Sequence, residues 1–279
     1  MSNIKNIINQ TKEVVEFKGL IEVYEEIAAG KMRKVKKNIT MSRDFYEGLG
    51  KLSIEVGSDF NSALEKEKPE EAVVFISSNA GLYGDIIEKT FQSFLSYVKV
   101  NKSEIFIVGK IGSQMMDQYA KSYSYQQLSF SDNVIEELVL QQIIGKLVVF
   151  RKITVFYGKF HNLMIQKPEI GNISGSLFPQ TMEELKLLAK KRMTYLYEPT
   201  VYAVSDLFTK EISAGVLEQM FLESQLAKLA SRVMHLDGAI ERTGDDLGIL
   251  NAKKRKAKKQ IMEKKQNATM AGIIVRSYY

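Results

Sequence analysis

The sequence predicts an α/β protein in which long N- and C-terminal helices form an antiparallel coiled coil around a small α/β insert. Three observations predict it. Apolar residues recur in alternating steps of four and three at both ends of the chain. Proline is missing before Pro69 and after Pro199. Between the two ends, short runs of valine, isoleucine and phenylalanine alternate with helical patterns.

At the C-terminal end the stepping picks out Leu222, Leu226, Leu229, Val233, Leu236, Ile240, Thr243, Leu247, Leu250, Lys254, Ala257, Ile261, Lys264 and Ala268. Sustained 3.5-residue spacing marks a helix that lies along a partner helix. At 1.5 Å per residue, about 60 residues would make a rod of roughly 90 Å, too long to be hidden inside a compact domain. At the N-terminal end the same stepping gives Ile7, Thr11, Val14, Lys18, Ile21, Glu25, Ala28, Met32, Val35, Ile39, Ser42, Tyr46 and Leu49. The natural partner of each seam is the other.

The elements between them follow in order. Residues 1–64 form the first coil helix, and the charged run Glu65 to Glu71 around Pro69 is a linker. Ala72 to Ser77 reads as a buried strand and Ser78 to Gly81 as its turn. A helix from about Tyr83 to Val98 follows, then a strand at Glu104 to Val108 and a turn at Gly109 to Gly112. A second helix runs from about Ser113 to Tyr119. Strand, helix, strand, helix implies a parallel sheet. Asp132 caps a helix to Leu147. Val148 to Gln166 reads as strand, turn and strand, and Pro168 to Pro179 as loop. Glu183 to Lys191 is a short helix, Tyr195 to Pro199 is extended, and the second long helix begins near Val201. The domains are thus 1–64, 70–199 and 200–279.

Composition narrows the function classes. The 279 residues contain no cysteine, two histidines (His161 and His235) and a net charge of +6. Disulfides, thiolate sites and a cysteine nucleophile are excluded, and a histidine metal cage has too few ligands. No apolar run reaches the eighteen or so residues of a membrane span, which places the chain in the cytoplasm. Gly81-Leu82-Tyr83-Gly84 sits where phosphate loops sit, but the Lys-Ser/Thr of such a loop is missing; it reads as a tight strand-to-helix turn. Ser77, Ser78, Ser113 and Ser176 have no histidine and acid in a triad arrangement. Asp245-Asp246 and Glu183-Glu184 point apart on their helices and read as solvated faces. No catalytic residue, cofactor or metal is expected. The sharpest local signal is basic: Lys253, Lys254, Arg255, Lys256, Lys258, Lys259, Lys264 and Lys265, offset by Glu263 alone. Such a run can meet phosphate, anionic lipid or acidic protein loops.

Four segments resemble the gamma subunit of rotary F-type ATP synthases. Ala28-Ala29-Gly30-Lys31-Met32-Arg33-Lys34 is similar to the family's Ala-Ala-Ser-Lys-Met-Arg-Lys. Ser77-Ser78-Asn79-Ala80-Gly81-Leu82-Tyr83-Gly84 resembles Thr-Ser-Asp-Arg-Gly-Leu-Cys-Gly. Tyr157 to Pro168 is similar to Tyr-Asn-Lys-Phe-x-Asn-x-Met-x-Gln-x-Pro. Tyr195-Leu196-Tyr197-Glu198-Pro199 is followed by Glu223-Ser224-Gln225 and Ala230-Ser231-Arg232-Val233-Met234. The order and spacing match over essentially the whole chain.

The resemblance implies a coiled coil with a Rossmann-like insert, and a non-catalytic, torque-carrying rotor subunit at the inner face of the cell membrane. The implied partners are alpha and beta nucleotide-binding subunits in a 3:3 ring, with epsilon-like and membrane c-ring subunits below. Ring contacts are implied at Lys31, Arg33, Lys254, Lys258 and Lys259, and foot contacts at Lys159, Phe160 and Asn162. The implied coil core is Met32, Leu229, Val233, Leu236 and Ile240. Departures are concentrated in the ring contacts. The family's Arg-Gln pair falls on Lys258-Lys259, its C-terminal acids fall on Lys265 and Ala268, and its Asp-Arg has become Asn79-Ala80. These departures leave open a gamma-like subunit of an F1-like ATPase not coupled to protons, for example one linked to motility. The basic run by itself leaves open a nucleic-acid-binding coiled coil. A small-molecule enzyme in the insert lacks any catalytic constellation.

Overall fold

In the computed structural model, described over residues 2–60, 71–132, 137–174, 198 and 200–277, both termini are single helices. The first, α1, spans Ser2–Phe60. The last, α5, spans Val201–Ser277. Between them run β1 (Glu71–Ile76), α2 (Ile86–Val98), β2 (Glu104–Val108), α3 (Lys110–Tyr119), β3 (Gln126–Leu128), α4 (Glu137–Leu147), β4 (Lys152–Phe160) and β5 (Gln166–Ser174). The chain divides into two compact units, residues 1–28 with 233–279, and residues 29–232.

In the first unit, burial follows the heptad seams. Ile7, Thr11, Val14, Lys18, Ile21, Glu25 and Ala28 are buried or half-buried, while most residues beside them are exposed. Val233, Leu236, Ile240, Thr243, Leu247, Leu250, Lys254, Ala257 and Ile261 repeat the pattern on α5. Lys18 Nζ comes 4.0 Å from where a Cβ on Gly244 would stand, so a lysine at a core position reaches across a gap left by glycine. The seam ends sooner than its heptads. Lys264 and Ala268, expected on it, are exposed. With Lys18 beside Gly244 and the helices antiparallel, Ser2 stands opposite about residue 260, so among the described residues α1 does not run beside the last turns of α5.

In the second unit, Val35 and Ile39 pack with Leu222, Leu226 and Leu229, joined by the half-buried Met32 and Phe160. The side chains of Tyr46 and Leu49 lie outside the described residues. The sheet order is β3-β2-β1-β4-β5, parallel except for the antiparallel pair β4–β5. Two apolar layers sandwich it. Phe75, Phe94, Phe91 and Phe156 fill the side under α2. Val74, Val155, Leu147, Leu217 and Phe221 fill the side under α4 and α5. At one end, Glu71 takes hydrogen bonds from Tyr97, Thr154 and Lys152. Burial raises its pKa, but these partners outweigh that and hold it below the usual carboxylate value.

Four sequence expectations change. Pro168 lies in strand β5 and not in a loop; it pairs with Gly158 on an edge strand, where a missing N–H is tolerated. Strand β3 was not expected, being three residues long and polar. Helix α3 starts at Lys110, three residues early, because Gly109 (φ 94°) makes the turn by itself. A Cβ on Gly112 would stand 2.6 Å from Ser77 Oγ, so this glycine lets α3 lie against the end of β1. Helix α2 starts at Ile86, because Leu82 and Gly84 both take positive φ. The expected helix at Glu183 to Lys191 lies outside the described residues, as does all of Tyr195 to Pro199 except Glu198.

Candidate functional site

The C-terminal ends of parallel strands, where the strand order reverses, are where sheets of this kind bind ligands. Here the reversal lies between β1 and β4, and beside it, at the ends of β1 and β2, α5 lays its own side chains on the segments that follow β1 and β3. Phe221, Gln225, Lys228 and Arg232 recur at steps of four, three and four, one position before the residues that face α1. Phe221 stacks on Phe130 with ring centroids 4.1 Å apart. Gln225 donates to the Asp132 carbonyl at 2.5 Å. Lys228 donates to the Ser77 carbonyl at 2.8 Å and lies 3.9 Å from the Asp132 carboxylate. Arg232 spans two carbonyls, Gly81 at 2.6 Å and Leu82 at 3.2 Å, with its guanidinium 4.1 Å from the centre of the Tyr83 ring.

Asp132, expected as a helix cap, ties the turn after β1. Its carboxylate accepts from the backbone N–H of Asn79 at 2.7 Å and of Ala80 at 3.0 Å. Asn79 in turn donates to the Phe130 carbonyl and accepts from the Lys110 N–H. The Ser-Ser-Asn-Ala-Gly-Leu-Tyr-Gly segment is therefore an anchor for α5, to which Ser77, Gly81 and Leu82 lend their carbonyls. The enclosed gap beside Lys228 holds about 10 Å³, room for a water at most. Among the described residues, no group of three His, Cys, Asp or Glu side chains could hold a metal.

Lys228 is buried with its charge, and burial lowers its pKa to about 8, against the opposing pull of Asp132. The sign follows. The unfolded chain binds this proton up to about pH 10.5, and the folded chain releases it from about pH 8. Stability from this group therefore rises between these values. Tyr83, whose pKa burial raises, works the other way above pH 10. Relative to Lys228→Met, the wild-type melting temperature should climb between pH 8 and 10. Parallel pH profiles of the two proteins would show that the lysine is not desolvated.

The implied foot residues sit at the β4–β5 hairpin. Lys159 pairs with Glu169 at 3.2 Å. Asn162 shapes the turn, its side-chain oxygen accepting from Met164 N at 3.0 Å and Ile165 N at 2.8 Å. That turn holds Met164 out, 77% exposed. Phe160 is half-buried and packs against Val35, Ile39, Leu222, Leu226 and Leu229. Lys31, Arg33, Lys258 and Lys259 are exposed, and Lys254 is half-buried at a seam position. Lys259 makes a one-turn pair with Glu263 at 3.9 Å. Sequence reasoning missed an apolar stripe on α1: Phe17, Leu20, Tyr24 and Ile27 are each at least 50% exposed. Its signal was a second heptad set one position before Lys18, Ile21, Glu25 and Ala28. No described helix is long and apolar enough to cross a membrane.

A family model described as ATP synthase matches residues 3–263. The chain is 23% identical over 293 residues to the ATP synthase gamma chain of Dichelobacter nodosus, covering 98% of this chain and 99% of that one. It is 26% identical over 281 residues to the gamma chain of Buchnera aphidicola subsp. Diuraphis noxia, covering 92% and 93%. A chain of the solved Euglena gracilis mitochondrial ATP synthase, in its OSCP, F1 and c-ring portion, superposes with a TM-score of 0.68 at 12% identity, covering 98% of this chain and 94% of that one. At that identity the likeness concerns the fold.

Proposed function

The chain belongs to the ATP synthase gamma family, and from that premise we propose that it is the central-stalk rotor of a rotary ATPase. Its coiled coil stands in the bore of a ring of alternating alpha and beta nucleotide-binding subunits. The sheet domain engages the rest of the stalk, with epsilon-like and membrane c-ring subunits as the expected neighbours. The location is peripheral, at the inner face of a membrane reached through the complex. The observation that carries this reading is the pairing of the two terminal seams, in a chain that matches the family over residues 3–263.

The physical role follows from asymmetry. A shaft of two helices presents a different face to each catalytic site of a quasi-symmetric ring. Each face favours one conformation of the subunit it touches, so turning the shaft moves every site through different nucleotide affinities. The exposed stripe Phe17, Leu20, Tyr24 and Ile27 and the basic run near Lys258 are the surfaces available for such contacts. The chain itself performs no bond chemistry.

Purification from native lysate tests this. The chain should come with ATPase activity at one copy per six nucleotide-binding subunits. Recovery as a free monomer, with no ATPase attached, would end the reading.

A further inference from the structure

The contact of α5 with the ends of β1 and β2 contains more polar structure than packing alone requires. Leu217, Met220 and Phe221 already seat the helix on the sheet. Apolar packing resists separation, but it is non-directional and resists sliding and rolling poorly. The next two turns of the same stripe are different. Arg232 grips two successive carbonyls of one turn and stacks on the buried Tyr83. Lys228 is placed in the interior, where a charge is costly, and is satisfied by Ser77 O and the nearby Asp132. The turn that receives them is held tautly. Leu82 has φ 65°, a conformation side-chain-bearing residues sustain only when their surroundings impose it. Directional bonds to a fixed turn set the rotational register of a helix; they add little to its adhesion.

We propose that Arg232, with Lys228 one turn before it, is the key through which α5 drives the sheet domain as the shaft turns. The inference rests on the rotor reading and assigns these two residues a role within it. Torque about the helix axis arrives as shear along the helix–sheet contact. The fork of Arg232 bears that shear on Gly81 and Leu82, and Lys228 bears it on Ser77. Residues on the α1 side of α5 hold the coil together and do not carry this load.

The test is ATP-driven rotation of the purified complex, with the ring immobilised and a viscous load attached at the β4–β5 turn. The Arg232→Ala, Lys228→Met double variant should turn like wild type without load and slip under load. Slippage should rise on the order of tenfold, as expected when hydrogen bonds to a charged group are lost. Arg232→Lys, which keeps the charge and loses the fork, should slip to an intermediate degree. The chain has no cysteine of its own. Gly81→Cys with Arg232→Cys can therefore be bridged by a short bifunctional thiol reagent, and nothing lies within 4 Å of a Cβ at Gly81. The bridged protein should carry load again. Wild-type slippage in the double variant, or slippage that survives bridging, overturns the key. A wild-type complex that hydrolyses ATP without turning the load overturns the rotor reading as well.

Discussion

Replacing Leu229 with aspartate should abolish the association of α1 with α5 in the sheet-bearing unit. Leu229 is 4% exposed and packs among Val35, Ile39, Leu222 and Leu226. Losing its side chain volume costs about 2–5 kcal/mol, and an unpaired carboxylate in its place adds several more. Set against a total stability of about 5–15 kcal/mol, that suffices to separate the helices. Circular dichroism should show a much lower melting temperature, and the variant should fail to assemble with the ring. Leu229→Met, which conserves volume, should behave like wild type. A Leu229→Asp protein that melts like wild type would mean that the heptad seam is not a core.

The second large effect concerns charge. Lys258→Glu with Lys259→Glu should leave the isolated chain folded, because both side chains are exposed. The one pair disturbed, Lys259–Glu263, is a surface pair worth less than about 1 kcal/mol. Within the complex, reversed charges facing a surface built for cations cost several kcal/mol, and each 1.4 kcal/mol is about tenfold. Coupled ATPase turnover should fall by about tenfold or more, with the melting temperature of the free chain within a few degrees of wild type. Unchanged turnover together with unchanged assembly would remove Lys258 and Lys259 from the contact surface.

The coil was legible because burial follows period. The alternation of four and three, read from the sequence, separates covered from exposed residues down to single positions such as Glu25 and Thr243. Strands β1 and β2 were legible because both their faces are covered and each is apolar throughout after its leading glutamate. The key at the sheet end was not legible. Gln225, Lys228 and Arg232 look like a solvated face, and only Phe221 hints that the stripe is covered. What receives Lys228 and Arg232 is a turn some 150 residues earlier in sequence, and the partner of Gln225 is Asp132. Asp132 was only partly legible for the same reason: its partners in the turn after β1, Asn79 and Ala80, are more than fifty residues away. The foot motif was legible as a motif, and its contacts within the chain were not. Asn162 builds the turn and Phe160 faces a core, leaving Leu163, Met164 and Ile165 as the surface the hairpin offers.

The most direct measurement is a map of the native complex in which helices are resolved. Two helices should run through the hole of a six-membered ring, with Phe17 to Ile27 and the basic run at Lys253 to Lys265 inside it and the five-stranded sheet outside. A ring with an empty hole, or one filled by another chain, would contradict the rotor reading.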